Sequence, residues 1–275
     1  MLSERDIRVH SGSGGLIVNL YKTDALVLRN LNRGETDQLL VLFSLEYGKL
    51  KVMAHGSRKI TSRKRGAIQP LTLTRFLIHK GRYMDSVRQC EELESFPDLF
   101  LKMDRICYAT YAAELVENST VEGEANHILL AVLVETLRQL GKGDPEIVAR
   151  AFALKLVTLA GYKPVLNLCV KCRRNLDGKM LTFSPLAGGF MCAECSREKS
   201  EDQTFSCHRG TLETIKLMLA WELSKLGQLK VDAETRTELY YVLKLHLEYH
   251  LGYRCATEMF IEKLKNRNSS YNPKL

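Results

Sequence analysis

In ALVLRNLNRGETDQLLVLFSLEYGKLKVMAHG, residues 25–56, two short apolar and partly β-branched runs, ALVLRNL and QLLVLFSL, flank NRGETD, and a third run bends at Gly48. Asn, Gly, Thr and Asp between such runs are turn chemistry, so the stretch reads as consecutive strands. Downstream, LTLTRFLIHKG and YMDSVRQCEEL supply two more strands, joined across Lys80–Arg82. No helix-period stretch interrupts the five. So many short strands in about seventy residues predict a small closed barrel, because closure removes exposed edges. Upstream, residues 1–20 contain SGSGG and read as an extension or tag-like linker outside the fold.

At SFPDLF the period changes. Pro97 and Asp98 can start a helix at Leu99, with Leu99, Met103, Ile106, Ala113 and Val116 on one face. Further helices are expected over 124–140, from the Asp144-Pro145 cap to Gly161, over 209–226, over 234–251 and near 256–265, before a frayed NRNSSYNPKL end. Gly227 and Gly252 act as stops. The class is therefore α+β: a barrel over 21–97, then a helical domain over 98–275 interrupted by a cysteine-bearing insert at 167–200.

The 275 residues are 45% hydrophobic and 26% charged, enough for two packed units. The longest apolar run, ILLAVLV at 128–134, is far too short to cross a bilayer, and the N-terminal stretch is a poor secretory signal. Of eight cysteines, four are scattered singly (Cys90, Cys107, Cys207, Cys255), unlike a disulfide framework. The expectation is a cytoplasmic protein without a membrane partner.

Net charge is +8 and unevenly spread. Between Glu46 and Asp85 lie 38 residues with no acid and ten Lys or Arg, whereas Asp85 to Glu124 holds ten acids against three basic residues. Such blocks mark interaction surfaces. Within the basic block, GKLKVMAHGSRKITSRKRG (48–66) places Lys49, Lys51 and His55 on one strand face, with Leu50, Val52 and Ala54 turned to the core. Arg58, Lys59, Arg63, Lys64 and Arg65 follow in a flexible loop. A cationic strand with a basic loop fits a phosphate backbone crossing a barrel, giving salt-dependent and largely sequence-independent affinity. The competing reading is a solvated loop that repels itself. Phe43, Tyr47, Phe76 and Tyr83 could stack on bases, although strand aromatics more often belong to a core.

Cys169, Cys172, Cys192 and Cys195 form C-x2-C-x19-C-x2-C, a spacing typical of structural zinc. Four thiolates close the metal shell, while a catalytic zinc keeps an open position. The deaminase signature H-x-E with P-C-x-x-C is absent: Leu168 and Met191 precede the two motifs. A loop of this composition cannot bury a core of its own, so the metal is expected to supply its folding energy. No G-x-x-x-x-G-K-[ST] or G-x-G-x-x-G loop is present either. The expected chain is a non-enzymatic binder; the alternatives are an RNA-binding barrel protein and a zinc-dependent nucleic-acid enzyme.

The run YKTDALVLRNLNRGETDQLLVLFSLEYGKLKVMAHGSRKITSRKRGAIQPLTLTRF, with the later ESFPDLF, ALKLVTLAGYKP and the paired C-x-x-C, resembles the bacterial RecO family of recombination mediators from Tyr21 onward. The resemblance implies an N-terminal OB-fold, then a helical domain with an inserted zinc finger. It implies binding of single- and double-stranded DNA, annealing of complementary strands, and partnership with RecR in the nucleoid. It further implies displacement of single-stranded-DNA-binding protein, whose acidic tail would dock on the helical domain, so that RecA can load. The family's barrel contacts carry over to Lys49 and Lys51 and then to Arg58. His55 stands where many relatives have Lys or Arg.

Overall fold

The sixteen residues of β2 (Val18–Arg33) are long enough to serve two neighbours. The first half pairs antiparallel with β5 (Leu73–His79), from Leu20↔His79 to Leu26↔Leu73. The second half pairs with β3 (Asp37–Ser44), ending at Arg33↔Asp37. A bulge between Val27 and Arg29 lets one strand bend between these partners. From β3 the sheet continues antiparallel to β4 (Gly48–Ala54) and parallel to β6 (Asp85–Glu94), which returns antiparallel to β5. The circuit β2-β3-β4-β6-β5-β2 closes, giving the five-stranded OB-type barrel that the sequence predicts.

The computed structural model describes residues 6–9, 18–197 and 203–270. Most of the 1–20 extension lies outside the described residues; of it, Asp6–Val9 forms β1, paired with Val18–Tyr21 at the edge of β2. The ends of the cysteine insert (198–200) and of the C-terminal segment (271–275) also lie outside them.

Alternation decides which side chains fill the barrel. On β5, Thr74, Phe76 and Ile78 are buried and their neighbours less so, the period of two that a half-buried strand requires. Leu40, Leu42, Val52, Ala54 and Val87 join Phe76 and Ile78 in one core cluster. The connection 55–72 is a chain of turns rather than a loose tether: Ile68 drops into that cluster, Ala67 and Leu71 are buried, and Arg58 donates its backbone N–H to the Thr36 carbonyl at 3.0 Å. Two compact units emerge, one taking residues up to 101 with 119–137, the other 102–118 with 138 onward.

In the second unit the expected helices appear as α1 (Met103–Ser119), α2 (His127–Leu140, shared between units), α3 (Pro145–Leu159), α4 (Arg209–Ala220), α5 (Leu223–Leu226), α6 (Ala233–Leu251) and α7 (Ala256–Ser270). Asp144 caps α3 as its Asp-Pro signature requires, accepting N–H bonds from Glu146 and Ile147 at 3.1 and 3.3 Å. Gly252 ends α6 in the left-handed region at φ 63°. Three expectations shift. A 3-10 turn, Pro97–Leu101, precedes α1, so Met103 is exposed, whereas Leu99, Ala113 and Val116 are buried as expected, together with Cys107, Tyr111 and Leu115. The expected 124–140 helix begins only at His127, after Asn126, whose side chain accepts the Leu129 N–H at 2.9 Å. The expected 209–226 helix breaks at Trp221–Glu222, which are extended. A fully buried Arg150–Glu258 ion pair joins α3 to α7, with the Tyr111 and Tyr240 rings 5.8 and 4.9 Å from the guanidinium.

Candidate nucleic-acid interface and metal centre

Strand β4 carries the cationic face. Its odd members Lys49 and Lys51 point outward while Val52 and Ala54 are buried, as alternation demands. Their cross-strand partners on β3, Phe43 and Val41, are themselves buried. The other edge of β4 meets β6 at Val52 and Met53 and is bridged by Glu122 at Gly48 and Lys49.

The two lysines are not loose. Residues 119–125 lie along the start of β4, bridged at Gly48↔Glu122 and Lys49↔Glu122. The Gly123 N–H donates to the Lys49 carbonyl at 3.1 Å. Lys49 Nζ donates to the Thr120 carbonyl at 2.5 Å, and Lys51 pairs with Glu122. Gly48 permits this approach: its φ is 62°, and a Cβ there would fall 1.9 Å from the Glu124 carbonyl oxygen. The Lys51–Glu122 pair stays open to solvent, with side chains 49% and 53% exposed. Lys51 is thus held by a local acidic segment yet open to solvent, while Lys49 is partly buried against residue 120.

The rest of the basic block divides. His55 contacts Asp37 at 2.6 Å, and Asp37 also accepts the Gly56 N–H at 2.8 Å. The Gly56 bond first, and His55 second, hold the Asp37 carboxyl down at about 2. Arg58 donates to the Gly34 carbonyl at 3.1 Å, joining the β2–β3 turn. Lys59, Arg63 and Arg65 are exposed, whereas Lys64 is drawn back to the Val87 carbonyl at 2.8 Å. The structure therefore groups Lys49 with Lys51, and His55 with Arg58 on the β2–β3 turn; Lys64 is partly withdrawn. Of the four aromatics, Phe43 and Phe76 are fully buried, Tyr47 packs partly buried against the barrel core, and Tyr83 is exposed.

Sequence reasoning did not find Thr120 and Glu122 as partners of the lysines. The acidic run after Asp85 was the only available signal, and nothing local ties it to β4.

The four cysteines converge. Their sulfurs lie within 4.8 Å of one another. Cys172 and Cys192 Sγ are 3.8 Å apart, close to the edge of a tetrahedron with metal–sulfur bonds of about 2.3 Å. The first pair sits on a knuckle in which the Arg173 N–H reaches the Cys169 carbonyl at 3.0 Å and Arg173 takes φ 62°. The second repeats this turn with the Ser196 N–H on the Cys192 carbonyl at 3.1 Å. The Cys192 N–H also points at Cys169 Sγ, 3.4 Å away. Burial raises the Cys169 thiol, but N–H bonds from Cys172, Cys192 and Lys171 outweigh it and bring it down to about 6. Sulfur type, spacing and N–H support all fit a four-thiolate metal ion; bound there, it would supply cross-linking and folding energy.

The insert is more than a loop, contrary to expectation. Its β7 (Met180–Ser184) and β8 (Gly189–Met191) pair with β9 (Phe205–His208), which lies beyond the expected 167–200 bounds, in a three-stranded sheet of order β8-β7-β9. Leu181, Phe183 and Phe190 are buried, and Phe183 meets His246 of α6 edge-on at 5.5 Å. The apolar alternation in LTF and GFM carries this face. A second cluster, His208 with Glu234 and Glu238, has a structural account: Glu238 accepts from the His208 backbone and ring and from the Thr211 hydroxyl, fixing the start of α4.

The class these features define is an OB-barrel protein joined to a helical unit with a tetracysteine centre. The family model "Recombination protein O N terminal" matches residues 18–96, and "Recombination protein O C terminal" matches 101–256. The chain is 44% identical to the DNA repair protein RecO of Pelotomaculum thermopropionicum over 246 residues, covering 90% of this chain and 95% of that protein. It is 36% identical to the DNA repair protein RecO of Desulforamulus reducens over 251 residues, covering 91% and 97%. The RecO protein of Desulforudis audaxviator is 35% identical, covering 89% and 97%. The chain belongs to the RecO family of DNA repair proteins.

Proposed function

We propose that the chain is a non-enzymatic DNA-binding mediator whose barrel grips phosphate backbones. The observation that carries this is the outward Lys49–Lys51 pair on a barrel strand, Lys51 open to solvent and Lys49 partly so, within an acid-free sequence block. Cationic groups on such a face neutralise phosphates on two strands at once, which lowers their repulsion and lets complementary bases pair. His55, Arg58, Lys59, Arg63 and Arg65 extend the contact, with Lys64 at its margin. Family membership supports the partners: single- and double-stranded DNA, RecR, single-stranded-DNA-binding protein through its acidic tail, and RecA indirectly, in the cytoplasm. Among the described residues no helix is long and apolar enough to cross a membrane. The tetracysteine centre is read as one structural zinc, since four thiolates leave no position for substrate.

Annealing of complementary oligonucleotides, followed by fluorescence with and without RecR, tests the reading. The protein should accelerate annealing, and Lys49→Glu/Lys51→Glu should abolish the acceleration for all sequences alike. Loss confined to one sequence would point to base readout instead. Chelator-sensitive turnover of DNA would point to an enzyme.

A further inference from the structure

The β5–β6 hairpin tip, residues 80–84, presents an aromatic ring that stays largely uncovered among the described residues. Tyr83 is 89% exposed and Met84 is exposed beside it. The Arg82 guanidinium lies 5.4 Å from the centre of the Tyr83 ring, so one ring face meets a cation and the other faces solvent. Burying neither ring face in the fold leaves a large apolar surface in water without structural return.

The tip is built to hold still. The Tyr21 hydroxyl donates to Asp85 Oδ2 at 2.6 Å, and the Gly81 N–H donates to Asp85 Oδ1 at 3.1 Å. A Cβ at Gly81 would fall 2.0 Å from the Met84 carbonyl oxygen, so the turn closes as tightly as it does only with glycine. The tip is also placed beside the cationic strand. The parallel register sets Asp85 against Val52, one residue past Lys51, and Tyr83 is two residues before Asp85. Along the same edge of β4 residue 122 bridges Gly48 and Lys49, and the Lys51–Glu122 pair there is about half exposed.

Resting on the proposed DNA-binding reading, we infer that Tyr83 is a stacking platform for an unpaired nucleobase of a single strand whose phosphates lie on Lys49 and Lys51. Phosphate contacts alone do not separate single strands from duplex; a ring that needs a free base face does. Tyr83 and Arg82 thereby give the barrel a tighter hold on single strands than phosphate contacts alone provide, with no demand on base identity.

The test measures binding of Tyr83→Ala, Tyr83→Phe and wild type to a single-stranded oligonucleotide, a duplex of equal length, and a single strand bearing 2-aminopurine. Tyr83→Ala should lose about 5-fold or more on the single strand, keep its duplex affinity, and keep the salt slope of the wild type. Tyr83→Phe should behave as wild type. The 2-aminopurine signal should be quenched by wild type and not by Tyr83→Ala. Equal single-strand affinity for Tyr83→Ala and wild type, or an equal loss on duplex, would overturn the inference. Failure of the underlying reading looks different: single-strand binding would then be indifferent to salt and to Lys49→Glu/Lys51→Glu.

Discussion

If phosphate binds at Lys51 as proposed, Glu122 competes with it, and neutralising Glu122 should tighten binding. In Glu122→Gln the carboxylate that pairs with Lys51 is replaced by an isosteric amide, while the backbone bridge of residue 122 to β4 persists. The size of the effect follows from exposure. Both side chains are about half open to water, and ion pairs of that kind are worth about 0.2–1 kcal/mol. Freed of that competition, the protein should bind a single-stranded oligonucleotide about 1.4- to 5-fold more tightly at low salt. The gain should shrink as salt screens the pair. Fluorescence anisotropy at two salt concentrations measures it, with circular dichroism confirming an unchanged fold. Unchanged or weaker binding by a folded Glu122→Gln protein would refute the reasoning, because Lys51 would then not be where phosphate binds.

Two further outcomes concern the second unit. The purified chain should carry about one zinc by elemental analysis, and Cys192→Ser or a chelator should remove it and lower the melting temperature; a metal-free protein of unchanged stability would contradict the structural role. His246 is buried, donates Nε2–H to the Tyr162 carbonyl at 2.8 Å, and is lowered to about 4 chiefly by burial. The unfolded chain therefore holds more protons between about 6.5 and 4, and stability falls as pH drops through that window. The loss is at most about 3 kcal/mol, and His250, lowered by burial in the same direction, adds to it. Denaturant midpoints at pH 7 and pH 5 should differ for wild type and differ less in His246→Gln, the remainder being that of His250; equal wild-type midpoints would sink this account.

Much of the fold was legible because its signals are local. The alternation in LTLTRFLIH matches the buried Thr74, Phe76 and Ile78 of β5. Asp144-Pro145 opened a helix, and Gly252 ended one. The two C-x-x-C pairs met as their spacing required. What escaped depends on distance in sequence or on phase. Lys49 and Thr120 are 71 residues apart, and no pattern in either segment announces the other. The short turn before Met103 delays the start of the helix, so Met103 is exposed although Ala113 and Val116 lie inside as the periodicity expects. Arg150 and its partner Glu258 lie 108 residues apart on different helices and are both buried, a pairing no local pattern announces. Tyr83 could not be told from the three other candidate aromatics until the barrel showed which rings it buries.

The central claim is electrostatic, and one titration tests it most directly: affinity for a single-stranded oligonucleotide across a salt series. If the barrel face contacts about five phosphates, log K should fall against log salt with a slope of about −3 to −4, and Lys49→Glu/Lys51→Glu should make that slope shallower. Binding that is insensitive to salt, or a slope the double substitution leaves unchanged, would contradict it.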